Sequence, residues 1–121
     1  MSIQSDLYTH LSTDAGLLTL VSTRLYPVKV PQSPTYPLVS YLAISGQSMN
    51  SLGGTGALRN SLYQFDVYAK TYSEAISIAD ALETAMASAS FKTLLQSRID
   101  ADFDDTPDVY RIILDFSIWH L

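Results

Sequence analysis

The segment Tyr110-Arg111-Ile112-Ile113-Leu114-Asp115-Phe116-Ser117-Ile118-Trp119-His120-Leu121 constrains the fold most, because it reads as one strand running to the last residue. Side chains alternate across a strand, so Tyr110, Ile112, Leu114, Phe116 and Ile118 share one face and Arg111, Ile113, Asp115, Ser117 and Trp119 the other. The C-terminal segment is therefore expected inside a sheet, its edge covered by the chain itself or by a partner. That expectation favours a component of an assembly over a free-standing enzyme.

At 121 residues the chain has the length of one domain, 1–121, with one modest core. Hydrophobic residues make up 47% and charged residues only 16%, where soluble domains usually carry roughly 25% charge. The surface must then be neutral and polar, or buried in contacts. The 7 basic and 12 acidic residues leave a net charge of -5, which argues against a protein that grips nucleic acid by neutralising phosphates. Acidic walls can still surround DNA without binding it. The absence of cysteine excludes disulfides and thiolate metal sites. No apolar run approaches the ~20 residues of a membrane span, and the N-terminus lacks a secretory pattern. Synthesis in a cytoplasm and no membrane partner are expected.

Periodicity supplies the elements. Ile3, Leu7, Tyr8 and Leu11 line one side of a first helix, and Asp14 opens a second short one over 14–21, in which Gly16 is unfavourable. Pro27, Pro31, Pro34 and Pro37 fall within 26–37, which reads as an extended arm able to reach a neighbour. Residues 38–45 form a strand with Leu38, Ser40, Leu42 and Ile44 on one side and Val39, Tyr41 and Ala43 on the other. The Gly- and Ser-rich residues 46–58 read as a flexible hairpin loop. Residues 59–70 return as an antiparallel partner, with Tyr63, Phe65, Val67 and Ala69 opposite Leu62, Gln64, Asp66 and Tyr68.

Ser73 is the expected cap of a helix running to about Ala89 that buries Ala75, Ile76, Ala79, Leu82 and Met86. Residues 91–96 read as a further helical turn, followed by a half-solvated strand in which Ile99, Ala101 and Phe103 alternate with Asp100, Asp102 and Asp104. Asp105-Thr106-Pro107-Asp108 turns the chain into the last strand. The expected order is α-β-β-α-β-β, an α+β domain with an antiparallel sheet of about four strands and helices packed on it.

Catalytic patterns are missing from the sequence. His10 and His120 are the only histidines, no Gly-x-Ser-x-Gly elbow occurs, and Gly53-Gly54-Thr55-Gly56 lacks the Lys-Ser/Thr of a phosphate loop. Tyr41, Tyr63, Tyr68 and Tyr72 lack the flanking cations of a base-stacking surface and read as core-edge and interface residues. The acidic run Asp100, Asp102, Asp104, Asp105 and Asp108 leaves three readings: a Ca²⁺ or Mg²⁺ site, a channel wall, or a solvated strand face. The run has no glycine-centred ligand loop. No enzyme activity, cofactor or metal is expected; a small enzyme using Asp66 or Asp115 and a binding module using its sheet edge remain as alternatives.

One ordered set of segments resembles a known family. Asp14-Ala15-Gly16-Leu17 leads to Arg24-Leu25-Tyr26-Pro27, Pro31-Gln32 and Tyr36-Pro37-Leu38-Val39. Then come Phe65-Asp66-Val67-Tyr68-Ala69, Thr71-Tyr72-Ser73-Glu74-Ala75 and Leu114-Asp115-Phe116-Ser117-Ile118-Trp119. Over nearly its whole length the chain is similar to the tail-completion or tail-terminator proteins of long-tailed bacteriophages. The resemblance implies a structural virion protein of the tail and neck, made in the host bacterial cytoplasm. It implies a ring of about six copies at the head-proximal end of the tail tube, which stops tube polymerisation and joins the tail to the head connector. Its implied partners are other copies, the tail tube protein, the head connector or adaptor, and DNA passing without specific binding. A head-completion adaptor of the neck is the nearest alternative.

A closed ring needs two different contact patches on each subunit. The candidates are the arm, with Tyr26, Pro31 and Pro34; the loop, with Met49, Leu52 and Leu58; and Trp119 on the last strand. Asp100, Asp102, Asp104 and Asp105 are the candidate channel-facing residues.

Overall fold

The computed structural model describes residues 3–48, 59–101 and 108–120. Two short helices open the chain. α1 (Ile3–Ser12) buries Ile3, Leu7 and Leu11 along a four-residue repeat, and Tyr8, one position off that line, stays 41% exposed. α2 (Ala15–Val21) begins at Asp14, whose side chain accepts from the Leu17 N–H at 3.1 Å and satisfies one of the donors a helix start leaves unpaired. Gly16 belongs to this cap, because a Cβ there would lie 3.3 Å from Asp14 Oδ2.

The expected α+β class holds, but the sheet differs from the expectation. Among the described residues it has five strands in the order β1-β2-β3-β5-β4 and is mixed. β1 (Leu25–Pro27) overlaps the start of the expected arm and runs parallel to β2. β2 (Leu38–Ser48) continues beyond Ser45 into the segment expected to be loop. β3 (Arg59–Ala69), β4 (Lys92–Asp100) and β5 (Tyr110–His120) complete the sheet by antiparallel pairings. β5 is interior, between β3 and β4, so the chain covers the edges of its own last strand.

The helical turn expected over 91–96 is instead the start of β4. An irregularity between Leu95 and Ser97 shifts the register there and breaks the alternation by which a strand is recognised. Downstream of it Ile99 pairs with Ile113 and is 55% exposed, so it does not supply the buried side expected of it.

α3 (Tyr72–Ala87) joins β3 to β4. Its cap is Thr71, not Ser73: the Thr71 hydroxyl accepts from the Glu74 N–H at 3.2 Å, while Ser73 lies within the first turn. The helix buries Ala75, Ile78, Ala79, Leu82, Ala85 and Met86, a wider stripe than expected, with Ile76 at its margin. Its alanines permit close approach to the sheet.

Pairing in register places Tyr63, Phe65 and Val67 of β3 beside Phe116, Leu114 and Ile112 of β5. With Val39 and Tyr41 they form one core with the buried residues of all three helices. Phe65 sits at its centre, stacked on Tyr41 at 5.2 Å and edge-on to Phe116 at 5.5 Å. Truncation of such a side chain to alanine typically costs about 3–5 kcal/mol. The other face of the sheet, bearing Gln64, Asp66, Tyr68, Arg111, Ile113, Asp115 and Trp119, contributes nothing to that core. The helices therefore cover one face and leave the second to other contacts.

Candidate interaction surfaces

Three surfaces hold the residues singled out in the sequence. The first is the helix-free face of the sheet. Trp119 is half-buried there, directly across from Asn60 on β3 and Lys92 on β4, and the Lys92 Nζ lies 5.3 Å from the ring centre. Leu94 and Ile99 on β4 add apolar area at 53% and 55% exposure. Between these and β2, Asp66 is buried and accepts from Arg111 Nη2 at 3.1 Å. The Arg111 guanidinium carbon is 5.6 Å from the Tyr68 ring centre. Asp115 accepts from the Ser97 hydroxyl at 3.1 Å through Oδ2, while its buried Oδ1 has no partner among the described residues. Both carboxylates named in the enzyme alternative are thus engaged by neighbours in the sheet.

The second surface is the proline arm, which is tied down at both ends. Arg24 Nε donates to the Pro37 carbonyl at 2.7 Å, and the Val39 N–H donates to the Arg24 carbonyl at 3.1 Å. Tyr26 is half-buried on β1 opposite Ser40. At the far end, Tyr36 packs against Tyr68 with ring centres 6.4 Å apart, and Lys70 Nζ is 5.3 Å from the Tyr36 ring. The Tyr36–Pro37 peptide is cis. Between these anchors Pro31 is exposed and Pro34 half-buried. Tyr26, Lys29, Val30, Pro31 and Gln32 line a shallow cavity of about 530 Å³.

The third surface was not singled out in the sequence as a site. Beside the outer margin of β2, a largely apolar groove of about 670 Å³ runs between Tyr8 of α1, Pro27, Val28, Tyr41, Ala43 and Tyr63. Tyr41 and Tyr63 are 3% and 2% exposed, and both hydroxyl oxygens are buried without a partner among the described residues. Burial, with the nearby Tyr8 and Tyr63 phenols as lesser causes, pushes the Tyr41 hydroxyl up to about 12. Burial raises Tyr63 as well. The signal available in the sequence was two polar-tipped residues at core-facing positions of paired strands.

The acidic run is only partly described. Asp100 is exposed at the end of β4, where Oδ2 accepts from the Tyr72 hydroxyl at 2.5 Å and links β4 to the start of α3. Asp108 is exposed with φ of 71°. Asp102, Asp104 and Asp105, like Met49, Leu52 and Leu58 of the expected loop, lie outside the described residues. Among the described residues no group of three or more His, Asp or Glu is arranged to hold a metal ion.

A model of the family described as Tail completion protein gp17 matches residues 5–121 of this chain. Among solved structures, a chain from the virion of a native gene transfer agent particle is similar with a TM-score of 0.72. That likeness covers 98% of this chain and 93% of that chain at 22% identity, and it is one of fold. No curated protein sequence matches the chain.

Proposed function

The chain belongs to the tail-completion protein family gp17, structural components of the virion tail, and on that premise we propose that its copies form a closed ring at the head-proximal end of the tail tube. The ring, of about six subunits, stops tube polymerisation and offers the head connector a docking surface. The chain acts by position and contact, without catalysis.

The observation that carries this reading is the face of the sheet that no described helix covers. The described helices bury their apolar residues against the opposite face, while Leu94, Ile99 and Trp119 lie outside that core, with Leu94 and Ile99 more than half exposed. Apolar area of this kind marks a contact surface. The arm, with Tyr26, Pro31 and Pro34, supplies a second and chemically different patch, as a heterologous interface requires. Met49, Leu52 and Leu58 belong to the same proposal as residues that contact the tube or connector. The net charge of -5 suits a channel through which DNA passes without adhering, with Asp100, Asp102, Asp104 and Asp105 on its wall.

Negative-stain imaging and mass measurement of the purified protein, alone and with its cognate tail tubes, test the proposal. Rings, or caps on one tube end with tube length held constant, are the expected result. A monomer that leaves tubes undecorated and still growing would sink it.

A further inference from the structure

β2 is longer than the strand that flanks it. On its inner margin it pairs with β3 from Leu38 to Ser48, but on its outer margin β1 reaches only Val39 to Tyr41. The cause is local. Pro27 ends β1, the Val28 N–H makes a last bond to the Tyr41 carbonyl at 2.7 Å, and Val28 at φ 69° turns the chain off the sheet. A positive φ is costly for a β-branched residue, so this departure is enforced by its surroundings. Among the described residues, no strand lies beside residues 42–48 on that side. The groove containing the unpartnered Tyr41 and Tyr63 hydroxyls opens at the start of this bare margin.

At the opposite limit of the sheet, β4 pairs among the described residues on one side only, with β5. It is 9 residues long and its exposed Leu94 and Ile99 do nothing to discourage a further strand. The two margins are complementary in direction. β2 and β5 run one way and β3 and β4 the other. A second copy rotated about an axis parallel to the strands therefore brings its β4 antiparallel to β2, the sense of every pairing in this sheet except β1 with β2. The contact joins two unlike patches, repeats from copy to copy, and closes when the rotation does.

We infer that the outer margin of β2 over residues 42–48 receives β4 of a second copy of this chain, so that neighbouring sheets merge by strand addition and the Tyr41–Tyr63 groove closes beneath the junction. Main-chain hydrogen bonds supply the contact. The arm of a neighbour does not fit this margin, because Pro31, Pro34 and Pro37 lack the N–H groups a ladder needs. The inference rests on the ring-forming reading and adds a main-chain contact between copies to the side-chain patches named there.

The absence of native cysteine makes the junction directly testable. Ser45→Cys is mixed in turn with Lys92→Cys, Leu94→Cys, Gln96→Cys and Ile99→Cys, then oxidised or treated with a short thiol-to-thiol reagent that tolerates a two-residue offset. Each mixture is assembled at high concentration and on tail tubes, and circular dichroism confirms that each variant folds. Heterodimers are expected from at least one mixture. The corresponding double variant should give a ladder of covalent oligomers, and Ser45→Cys with Thr84→Cys on α3 should give none. Rings or tube caps that form without any β2–β4 cross-link would overturn the edge pairing and leave the ring intact. A chain that neither assembles nor cross-links would overturn both.

Discussion

Asp66 on β3 and Arg111 on β5 meet at 3.1 Å across the face that no described helix covers, with the Asp66 side chain 8% exposed and the Arg111 side chain 34%. The acid is the more deeply buried partner, so the pair is asymmetric: losing the cation strands a buried charge, whereas losing the charge on the acid does not.

Arg111→Leu should accordingly destabilise the isolated chain by about 1–3 kcal/mol, the range for a buried ion left with partial compensation. Asp66→Asn in that background should recover much of the loss. Denaturant unfolding of the three variants measures the coupling.

The Tyr41 hydroxyl predicts an alkaline limit. Its folded value of about 12 exceeds the ordinary 10.0, so the native state holds this proton more tightly than the unfolded chain. The resulting stabilisation is complete below pH 10 and is lost as pH rises towards 12. Unfolding midpoints followed across that window should fall in the natural sequence and fall less in Tyr41→Phe. Tyr63→Phe, which removes an unpartnered buried hydroxyl, should leave the isolated chain unchanged or up to about 1 kcal/mol more stable.

His10 ties the first helix to the end of the third. Its Nε2 lies 2.6 Å from the Ala85 carbonyl and its ring meets Phe91 edge-on at 6.1 Å. A carbonyl only accepts, so Nε2 must carry the proton. His10→Phe keeps a ring against Phe91 and loses the bond, at an expected cost of about 1 kcal/mol. His10→Ala should cost more, and thermal unfolding separates the two.

Trp119 distinguishes contact from core. It lies outside the helix-covered core, and the Lys92 ammonium stands over its ring. Trp119→Ala should reduce ring or cap formation at least tenfold while changing monomer stability by no more than about 1–2 kcal/mol. Sedimentation and tube-capping counts, read beside denaturant unfolding, check it. A large loss of monomer stability with normal capping would make the residue a structural one.

The residues that declared themselves in the sequence are those whose burial follows a simple period. Tyr63, Phe65, Val67 and Ala69, and Ile112 through Ile118 in alternate steps, are legible because an interior strand covered on one face must alternate. Asp14 was legible as a cap because its side chain acts on the next turn alone. β1 was hidden by its length, since Leu25, Tyr26 and Pro27 are too few to show a period and sit among prolines. β4 was hidden by the irregularity at residue 96 and by its place at the margin of the sheet, where Leu94 is exposed and Leu95 partly buried. Among candidate contacts, Trp119 was visible as a large residue on the polar side of a strand. The Tyr41–Tyr63 groove was not, because it depends on where α1 lies, and no local pattern encodes that distance.

The short reach of β1 also sets a height. Any strand added to β2 can begin no earlier than the point where β1 stops, after Tyr41, because both use the same row of backbone groups. A sliding error of two residues would displace each copy by about 7 Å along the strand axis. Displacements of that size accumulate around a circle and give a lock-washer whose first and last members miss each other. In the proposed junction the three-residue stub, ended at Val28, would act as a depth stop that keeps successive copies level, and level copies are what allow a turn to meet its own beginning.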